Sequence, residues 1–155
     1  MKPIAARLLA DHSSVVAPAL LGKILQVDHG GGDVRSGRIT EVEAYGGADD
    51  PASHSFRGPT PRNEPMFRRA GTIYVYFTYG MHWCANVVTG PVGDPQAVLL
   101  RAVDPLDGLA AIRAARPRAR RDRDLANGPA KLCEALGIGR WANGLALGMP
   151  AHEGV

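Results

Sequence analysis

The stretch TIYVYFTYGMHWCANVV, residues 72–88, contains two alternating segments that meet at Tyr79-Gly80-Met81. Alternation with a period of two is typical of β-strands, and a glycine between two such runs indicates a tight turn. The sequence therefore predicts a β-hairpin with strands at 72–77 and 82–88. Turn tips are usually polar because they lie in water, whereas this tip is aromatic and apolar. Such a tip indicates a hairpin that inserts into a partner.

The two faces of this hairpin differ in chemistry. Period two separates an aliphatic face from a face of aromatic and polar side chains, the latter formed by Tyr74, Tyr76, Thr78, His82, Cys84 and Asn86. Aromatic side chains spaced by two on a strand are commonly core residues. They also form the stacking platforms on which proteins bind bases. Spacing alone leaves both interpretations open.

The segments around the hairpin predict the rest of the fold. KILQVDH (23–29) and GRITEVEAY (37–45) form a strand pair around the turn GGGDVRS, and AVLLRAV (97–103) forms a further strand. Helices are predicted after a Ser13–Ser14 cap up to Gly22, at 106–116, and at 128–138 with Pro129 in its first turn. Residues 46–65 form a long loop, which is usually functional in a compact domain. This order predicts an α+β fold: one domain over 1–155 with a largely antiparallel sheet and flanking helices.

The composition limits the class of protein. The chain has 155 residues, 45% of them apolar, and its net charge is +3 with a pI near 9.1. Three lysines stand against fifteen arginines, and arginine is the better ligand for phosphate. Arginine-rich usage also arises from compositional drift, so charge alone leaves nucleic-acid binding open. The two cysteines, Cys84 and Cys133, have no metal-ligand or disulfide spacing.

The sequence gives no signal for export or for a membrane. The N-terminal apolar stretch is short and is interrupted by Arg7, and no apolar run approaches the length of a membrane span. We therefore expect a cytoplasmic protein with reduced thiols and no membrane partner. A metal site from Asp49, Asp50 and His54 is conceivable, but no spacing rule selects it, and we expect no metal and no cofactor.

The strand RITEVEAY contains candidate catalytic carboxylates. Period two places Thr40, Val42 and Ala44 on one face, predicted to be core, and Ile39, Glu41, Glu43 and Tyr45 on the other. Two glutamates beside a tyrosine form either a solvated face or a site. Arg101 lies in the otherwise apolar strand VLLRAV. Its guanidinium must therefore either pair with an anion or extend to solvent. Glu43 is the candidate partner.

Five longer segments together resemble one known family. They are EVEAYGGADDPASHS, TPRNEPMF, GTIYVYFTYGMHWCANV, VLLRAVDPLDGL and NGPAKLCEALGI, in the family's order and at close to its spacing. The chain resembles the alkyladenine (3-methyladenine) DNA glycosylases, monofunctional enzymes of base-excision repair, over roughly residues 15–147. This resemblance implies a curved sheet with a protruding β-hairpin, and hydrolysis of the N-glycosidic bond of alkylated or deaminated purines in duplex DNA.

The resemblance also implies a role for each site residue. Glu43 matches the general base and Arg101 its partner beside the attacking water. Tyr45, His54 and Tyr76 match the residues that enclose the flipped base, and Asn86 matches the asparagine that excludes guanine. Tyr79 matches the wedge that fills the gap in the duplex, with Met81 beside it. Candidate phosphate contacts are Arg57, Arg62, Arg120, Arg121 and Lys131.

The sequence departs from the family pattern at its end. Family members continue with a strand bearing a GPRIGI-like segment and a basic tail, whereas this sequence ends in GLALGMPAHEGV, so the C-terminal strand is expected to be missing. The expected partner is double-stranded DNA with damaged purines in the bacterial nucleoid, bound by a monomer. The alternatives are a non-catalytic module that binds DNA lesions or duplex without turnover, and a nucleic-acid-binding fold with another role.

Overall fold

The computed structural model describes residues 4–148. They form five strands, β1 (Ile24–Asp28), β2 (Val34–Tyr45), β3 (Ile73–Thr78), β4 (His82–Thr89) and β5 (Gln96–Pro105). Four α-helices accompany them: α1 (Ala6–Leu9), α2 (Ser13–Leu20), α3 (Leu109–Ala115) and α4 (Pro129–Leu136). The remaining regular elements of this part are short 3₁₀ turns at Gly47–Asp49, Glu64–Phe67, Asp122–Asp124 and Arg140–Ala142. The α+β class is confirmed.

The strands form one antiparallel sheet in the order β1-β2-β5-β4-β3. The predicted hairpin is β3–β4, in which Tyr76 lies opposite Cys84 and Thr78 opposite His82. Directly opposed residues of an antiparallel pair share a face. The separation of the aliphatic face from the aromatic face of the hairpin is therefore as predicted.

The helices cover one face of the sheet and bury the main core there. Leu20 of α2, Ile112 of α3 and Leu132 of α4 belong to the same buried cluster as Val87 of β4 and Leu100 of β5. Proline begins α4 at its first position, where no backbone hydrogen bond is lost. Apolar burial on this face is what holds helices this short in place, because isolated helices of 4–8 residues are unstable in water.

The opposite face is only partly covered. Met66 from the long loop packs there with Tyr74, Val88 and Ala97 in a small second cluster. The loop thus shields the start of β3 and the end of β4, while the side chains nearer the tip of the hairpin remain near solvent. This uncovered part of the sheet is the surface on which a site can form.

Strand β2 corrects one sequence prediction. Ile39 is buried against the helices, whereas Thr40 and Ala44, predicted as core, are exposed. The register shifts on both sides of Glu41, so that Ile39 pairs with Val103 but Val42 pairs with Leu100. Such a β-bulge breaks strict alternation. It moves Ile39 off the face of the glutamates, while Val42 packs against the core as predicted.

Two helix starts also differ from the prediction. The cap of α2 is His12, whose Nδ1 accepts a hydrogen bond from the Ser14 backbone, so the serines lie inside the helix. Helix α3 begins only after Gly108, which has φ 74°. A Cβ at Gly108 would lie 2.5 Å from the carbonyl oxygen of Val34, so this close approach requires glycine.

The outer edge of β3 is covered by the end of the described chain. The Ile73 N–H donates to the Leu145 carbonyl at 2.7 Å, and the Leu147 N–H donates to the Gly71 carbonyl at 2.8 Å. The Val75 N–H donates to the side-chain oxygen of Asn143 at 2.9 Å. These bonds satisfy an edge that would otherwise expose unpaired backbone groups.

None of the helices within residues 4–148 has the length and hydrophobicity needed to cross a bilayer.

Replacement of Asn143 by alanine is expected to lower the free energy of unfolding by about 1–3 kcal/mol, since the Val75 N–H would be left buried without an acceptor. Urea denaturation measures this change. The matched control is Asn127→Ala, because Asn127 is exposed and its loss should cost less than about 0.5 kcal/mol. Equal stabilities of the two variants would mean that the edge of β3 does not depend on Asn143.

Candidate active site

The register of the sheet aligns four residues from four strands in one row. Glu43 of β2 lies opposite Leu99 of β5, Leu99 lies opposite Asn86 of β4, and Asn86 lies opposite Tyr74 of β3. All four share the face away from the helices. With about 4.8 Å between neighbouring strands, the row extends roughly 14 Å from Glu43 to Tyr74. Leu99 and Asn86 form the buried floor between a carboxylate and an aromatic wall.

Glu43 is held on both of its oxygens. Arg101 Nη1 donates to Glu43 Oε2 at 2.8 Å, and the Tyr45 hydroxyl donates to Glu43 Oε1 at 3.0 Å. Arg101 Nε also donates to Glu41 Oε1 at 2.6 Å. The predicted pair of Glu43 and Arg101 is therefore present, with Glu41 as a second partner. Two carboxylates against one guanidinium leave this group a net charge of −1.

The environment keeps the Tyr45 phenol protonated. Burial, followed by the hydrogen bond to Glu43, raises the pKa of Tyr45 to about 12. At neutral pH the hydroxyl is then a hydrogen-bond donor and fixes the orientation of the carboxylate. Glu43 nevertheless keeps 45% of its side chain exposed, so a substrate or a water molecule can reach it.

An aromatic cluster forms the other wall. The rings of His54 and Tyr76 meet edge to face with centroids 4.4 Å apart, and His54 Nδ1 lies 3.1 Å from the Tyr74 hydroxyl. Burial lowers the pKa of His54, and the charge of Arg62 lowers it further. Burial also raises the pKa of Tyr76. The wall is therefore uncharged at neutral pH and presents electron-rich rings.

Hydrogen bonds from buried polar side chains hold the loop of His54, where a helix or strand would use its own backbone bonds. Asn63 donates from Nδ2 to the carbonyls of His54 and Gly58, both at 3.0 Å, and accepts from the Thr60 N–H at 2.6 Å. The Ser55 hydroxyl donates to the Pro95 carbonyl at 3.1 Å. His54 is thus fixed on both sides, although it lies in a loop.

Hydrogen bonds within the same loop account for Asp50, one of the two aspartates considered as metal ligands. Both carboxylate oxygens of Asp50 accept backbone N–H groups, from Gly46 at 2.9 Å and from Ala52 at 3.0 Å. Asp50 is therefore a turn-forming residue. Within residues 4–148 no group of three His, Cys, Asp or Glu side chains is arranged to hold a metal ion.

The predicted wedge residues lie at the tip of the hairpin. Tyr79 is 90% exposed and Met81 is 68% exposed. The Met81 N–H donates to the Thr78 carbonyl at 3.2 Å, and both Tyr79 (φ 51°) and Gly80 (φ 67°) have left-handed backbones. Tyr79 is the one non-glycine residue with positive φ in the described chain. Its ring projects without any packing to support it.

Asn86, the predicted selectivity residue, is buried in the floor. Its Nδ2 donates to the carbonyl of Tyr74, its opposite neighbour on β3, at 3.1 Å. This bond fixes the orientation of the amide. The side chain is therefore presented to a ligand from a fixed position in the pocket floor.

The candidate phosphate contacts fall into two groups. Arg57 and Arg62 are exposed on the loop, and Arg62 donates to the Phe77 carbonyl at 2.8 Å with its guanidinium 5.6 Å from the centre of the Tyr76 ring. The other group is Arg120, Arg121 and Lys131, which lie in the helical layer around the start of α4.

Several of the helical-layer arginines are paired with carboxylates. Arg121 binds Asp124 at 2.8 Å, Arg113 binds Asp122 at 2.7 Å, and Arg116 binds Glu134. Among the described residues, Arg120 has no carboxylate within ion-pair distance. The positive charge of this region is therefore smaller than the sequence alone indicates.

Two cavities lie on the helical face and not at the carboxylate. They measure about 400 and 530 Å³, and side chains such as Leu25, Ile73, Leu100 and Leu147 line them. Their lining is mainly aliphatic. They offer apolar surface but no arrangement of acid, base and aromatic groups like that on the opposite face.

Comparison with known sequences now identifies the family. The sequence model of the methylpurine-DNA glycosylases matches residues 7–153. The chain belongs to this family. A protein of Burkholderia lata and one of Burkholderia orbicola, both named "Putative 3-methyladenine DNA glycosylase", are each 58% identical over 139 residues, 90% of this chain and 65% of theirs. One of Rhodococcus jostii with the same name is 54% identical over 136 residues, 84% of this chain and 59% of its own.

The chain spans about two thirds or less of the length of these curated relatives. Four of the five segments that first indicated a methylpurine-DNA glycosylase build the face described above: the strand with Glu43, the loop with His54, the hairpin and the strand with Arg101. The family resemblance noted in the sequence is therefore confirmed.

Three contributors to this glycosylase-family site were not identified from sequence. Glu41 was placed on the correct strand face but was not assigned to Arg101, although its spacing of two from Glu43 was a usable signal. Tyr74 shares the face of Tyr76, and its hydroxyl contact to His54 was missed. Asn63 gave no periodic signal, because its role arises from bonds within a loop.

Replacement of Arg62 by glutamine is expected to raise the pKa of His54 toward the ordinary value of about 6.5. The cation that disfavours imidazolium would be gone, and the ring would be better solvated. An NMR titration of the imidazole in the free protein measures this, with Arg57→Gln as the control. An unchanged midpoint would show that Arg62 does not act on His54.

The lowered pKa of His54 also determines how the stability of the fold depends on pH. The pKa of His54 is lower in the folded state than in the unfolded state, so the fold favours the neutral ring. The stability contributed is complete above about pH 6.5 and is lost as the pH falls through the folded pKa.

Proposed function

We propose that this chain forms the catalytic part of a monofunctional DNA glycosylase that hydrolyses the N-glycosidic bond of alkylated or deaminated purines. The observation that supports it most directly is the Glu43 carboxylate, held by Arg101 and Tyr45 on the same face as the aromatic cluster of His54 and Tyr76. A fixed base next to an aromatic wall suits attack on a sugar whose base is held by stacking.

The chemistry requires only these groups and water. Glu43 accepts a proton from a water molecule while the oxygen of that water bonds to the anomeric carbon. The bond from the anomeric carbon to the purine breaks, and its electron pair leaves with the base. Positive charge builds on the sugar, and the net charge of −1 around Arg101 stabilises it. Because water is the nucleophile, the scheme needs no cofactor and no Schiff-base lysine.

The aromatic wall accounts for the preference for a damaged base. An N3- or N7-alkylated purine is cationic, so rings of Tyr45, His54 and Tyr76 attract it through their π faces. The lowered pKa of His54 keeps that ring neutral and removes a repulsive charge. Such a base also leaves as a neutral product, whereas a deaminated purine such as hypoxanthine leaves more easily when it is protonated. Asn86 in the floor is proposed to exclude the 2-amino group of guanine.

The hairpin tip is proposed to act on duplex DNA. A purine inside a duplex is inaccessible, and an enzyme that cleaves its glycosidic bond must extrude the nucleotide from the stack. Tyr79 and Met81, both exposed, would fill the gap and press on the neighbouring base. Arg57, Arg62, Arg120, Arg121 and Lys131 are proposed as phosphate contacts, Arg121 only by exchanging its bond with Asp124.

The partner is thus proposed to be double-stranded DNA that contains damaged purines, bound by a monomer. The relatives named above are bacterial, which supports action on the DNA of the nucleoid. A lesion-binding module without turnover would use the same wall and wedge, and the carboxylate distinguishes the two functions.

Replacement of Glu43 by glutamine is expected to reduce the single-turnover rate of base release by about a hundredfold or more while lesion affinity is kept. The amide preserves shape and cannot take the proton. Release of 3-methyladenine from a defined duplex measures the rate, with Glu134→Gln, a paired carboxylate of the helical layer, as the control. A rate within a few-fold of the wild type contradicts the assignment of Glu43. Absence of release by the wild-type chain itself would favour the non-catalytic module.

Replacement of Tyr79 by asparagine is expected to weaken duplex-lesion binding about 5- to 150-fold, and binding of the same base in a single strand much less. Base–aromatic stacking is worth about 1–3 kcal/mol, and a single strand leaves no gap to fill. The melting temperature should not fall, because asparagine accepts the left-handed backbone more readily. Tyr79→Phe, which keeps the ring, is the control. Equal losses on both substrates with a lower melting temperature would make Tyr79 a packing residue.

A further inference from the structure

Arg101 differs from most of the paired arginines among residues 4–148 in how it uses its guanidinium; Arg116 is the other exception, with Nε on the Leu125 carbonyl and Nη1 on Glu134. Arg35, Arg68 and Arg113 each place Nε and Nη2 on the two oxygens of one carboxylate, as arginine commonly does. Arg101 instead donates from Nε to Glu41 at 2.6 Å and from Nη1 to Glu43 at 2.8 Å. The hydrogen-bond donors of its guanidinium are therefore divided between two carboxylates.

The division occurs at the β-bulge in β2. The register shifts on both sides of Glu41, which lies opposite Ala102, next to Arg101 in the chain. Ile39 turns into the core while Glu41 and Glu43 both stay on the side of Arg101. Glu41 is 57% exposed and is not required for core packing. Its defined contact is the one to Arg101.

The division determines what remains available on Glu43. Arg101 gives Glu43 one hydrogen bond, on Oε2, and Oε1 accepts from Tyr45. A bidentate Arg101 would occupy both oxygens and would compete with Tyr45 and with a water molecule. We infer that Glu41 is a positioning residue that holds Arg101 by its Nε, so that Glu43 keeps the hydrogen-bonding capacity needed to activate water. This inference rests on the proposed function, in which Glu43 is the base.

The test compares Glu41→Ala with Glu41→Gln. Alanine removes the acceptor of the Arg101 Nε–H, whereas the glutamine carbonyl still accepts it without a negative charge. We expect Glu41→Ala to lower the single-turnover rate at saturating protein by about 10- to 100-fold, the range that misplacement of a reacting group produces. Glu41→Gln should recover most of the rate, and the dissociation constant for the lesion duplex should stay within about twofold for both.

Glu64→Ala is the matched control, since it removes an exposed carboxylate from a bidentate pair with Arg68 away from the carboxylate site, and it should leave the rate unchanged. Equal loss in Glu41→Ala and Glu41→Gln would overturn positioning in favour of a purely electrostatic effect of the charge. A wild-type rate in Glu41→Ala would overturn it outright.

Two further measurements separate this inference from the proposed function. A crystal structure of Glu41→Ala should place two nitrogens of Arg101 on Glu43, and an unmoved Arg101 would contradict the inference even if the rate falls. The Glu43→Gln variant is measured in parallel. If Glu43→Gln is inactive and Glu41→Ala is fully active, positioning fails while the proposed function stands. If Glu43→Gln is fully active, the proposed function itself fails.

Discussion

The pairing register of β2 with β5 is the constraint on which the site depends. Side chains alternate along a strand, so a slip of one residue would turn Glu43 toward the helices and bury an unpaired carboxylate in the core. The bulge around Glu41 resolves a conflict within one strand. Ile39 must reach the core, and Glu41 and Glu43 must meet Arg101 on the opposite face. An unbroken strand would place Ile39 on the same face as both glutamates.

The second wall of the site depends on a different kind of order. His54 lies in a loop, where no strand ladder fixes the backbone, and Asn63 and Ser55 supply the missing hydrogen bonds from buried side chains. Because each buried polar group that loses its partner costs free energy, such a loop has few alternative conformations. The aromatic rings therefore have a hydrogen-bonded support on the face of the carboxylate, as the proposed orientation of a reacting base requires.

Much of this arrangement was predictable from sequence, and the failures have physical causes. Alternation located every strand within a few residues, and the spacing of two in EVEAY placed Glu43 and Tyr45 on one face. Thr40 was wrongly predicted as core because a bulge has no signature in alternation. Ala44 was also wrongly predicted as core: it lies opposite Val98 on the expected side of the strand but is exposed there. Gly108 precedes α3 because its backbone approaches β2 closely, and such a tertiary contact is not visible in the local sequence. The residues proposed to enclose the base, His54 among them, entered through family resemblance, and Asn63 only through the structure, since no periodic pattern selects either.

The hairpin tip is the place where local preference and fold disagree. A tyrosine in the left-handed region costs roughly 1–2 kcal/mol, and a residue with 90% of its surface in solvent recovers none of that by packing. Below the tip the chain is well supported, because Phe77 and Trp83 stack across the strands with centroids 4.7 Å apart and Arg62 binds the Phe77 carbonyl. Tyr79 is thus a strained aromatic residue at the tip of a well-supported hairpin, and it does not itself stabilise the fold. Strain of this kind clusters at functional sites, which supports the proposal that Tyr79 acts on a partner outside the protein.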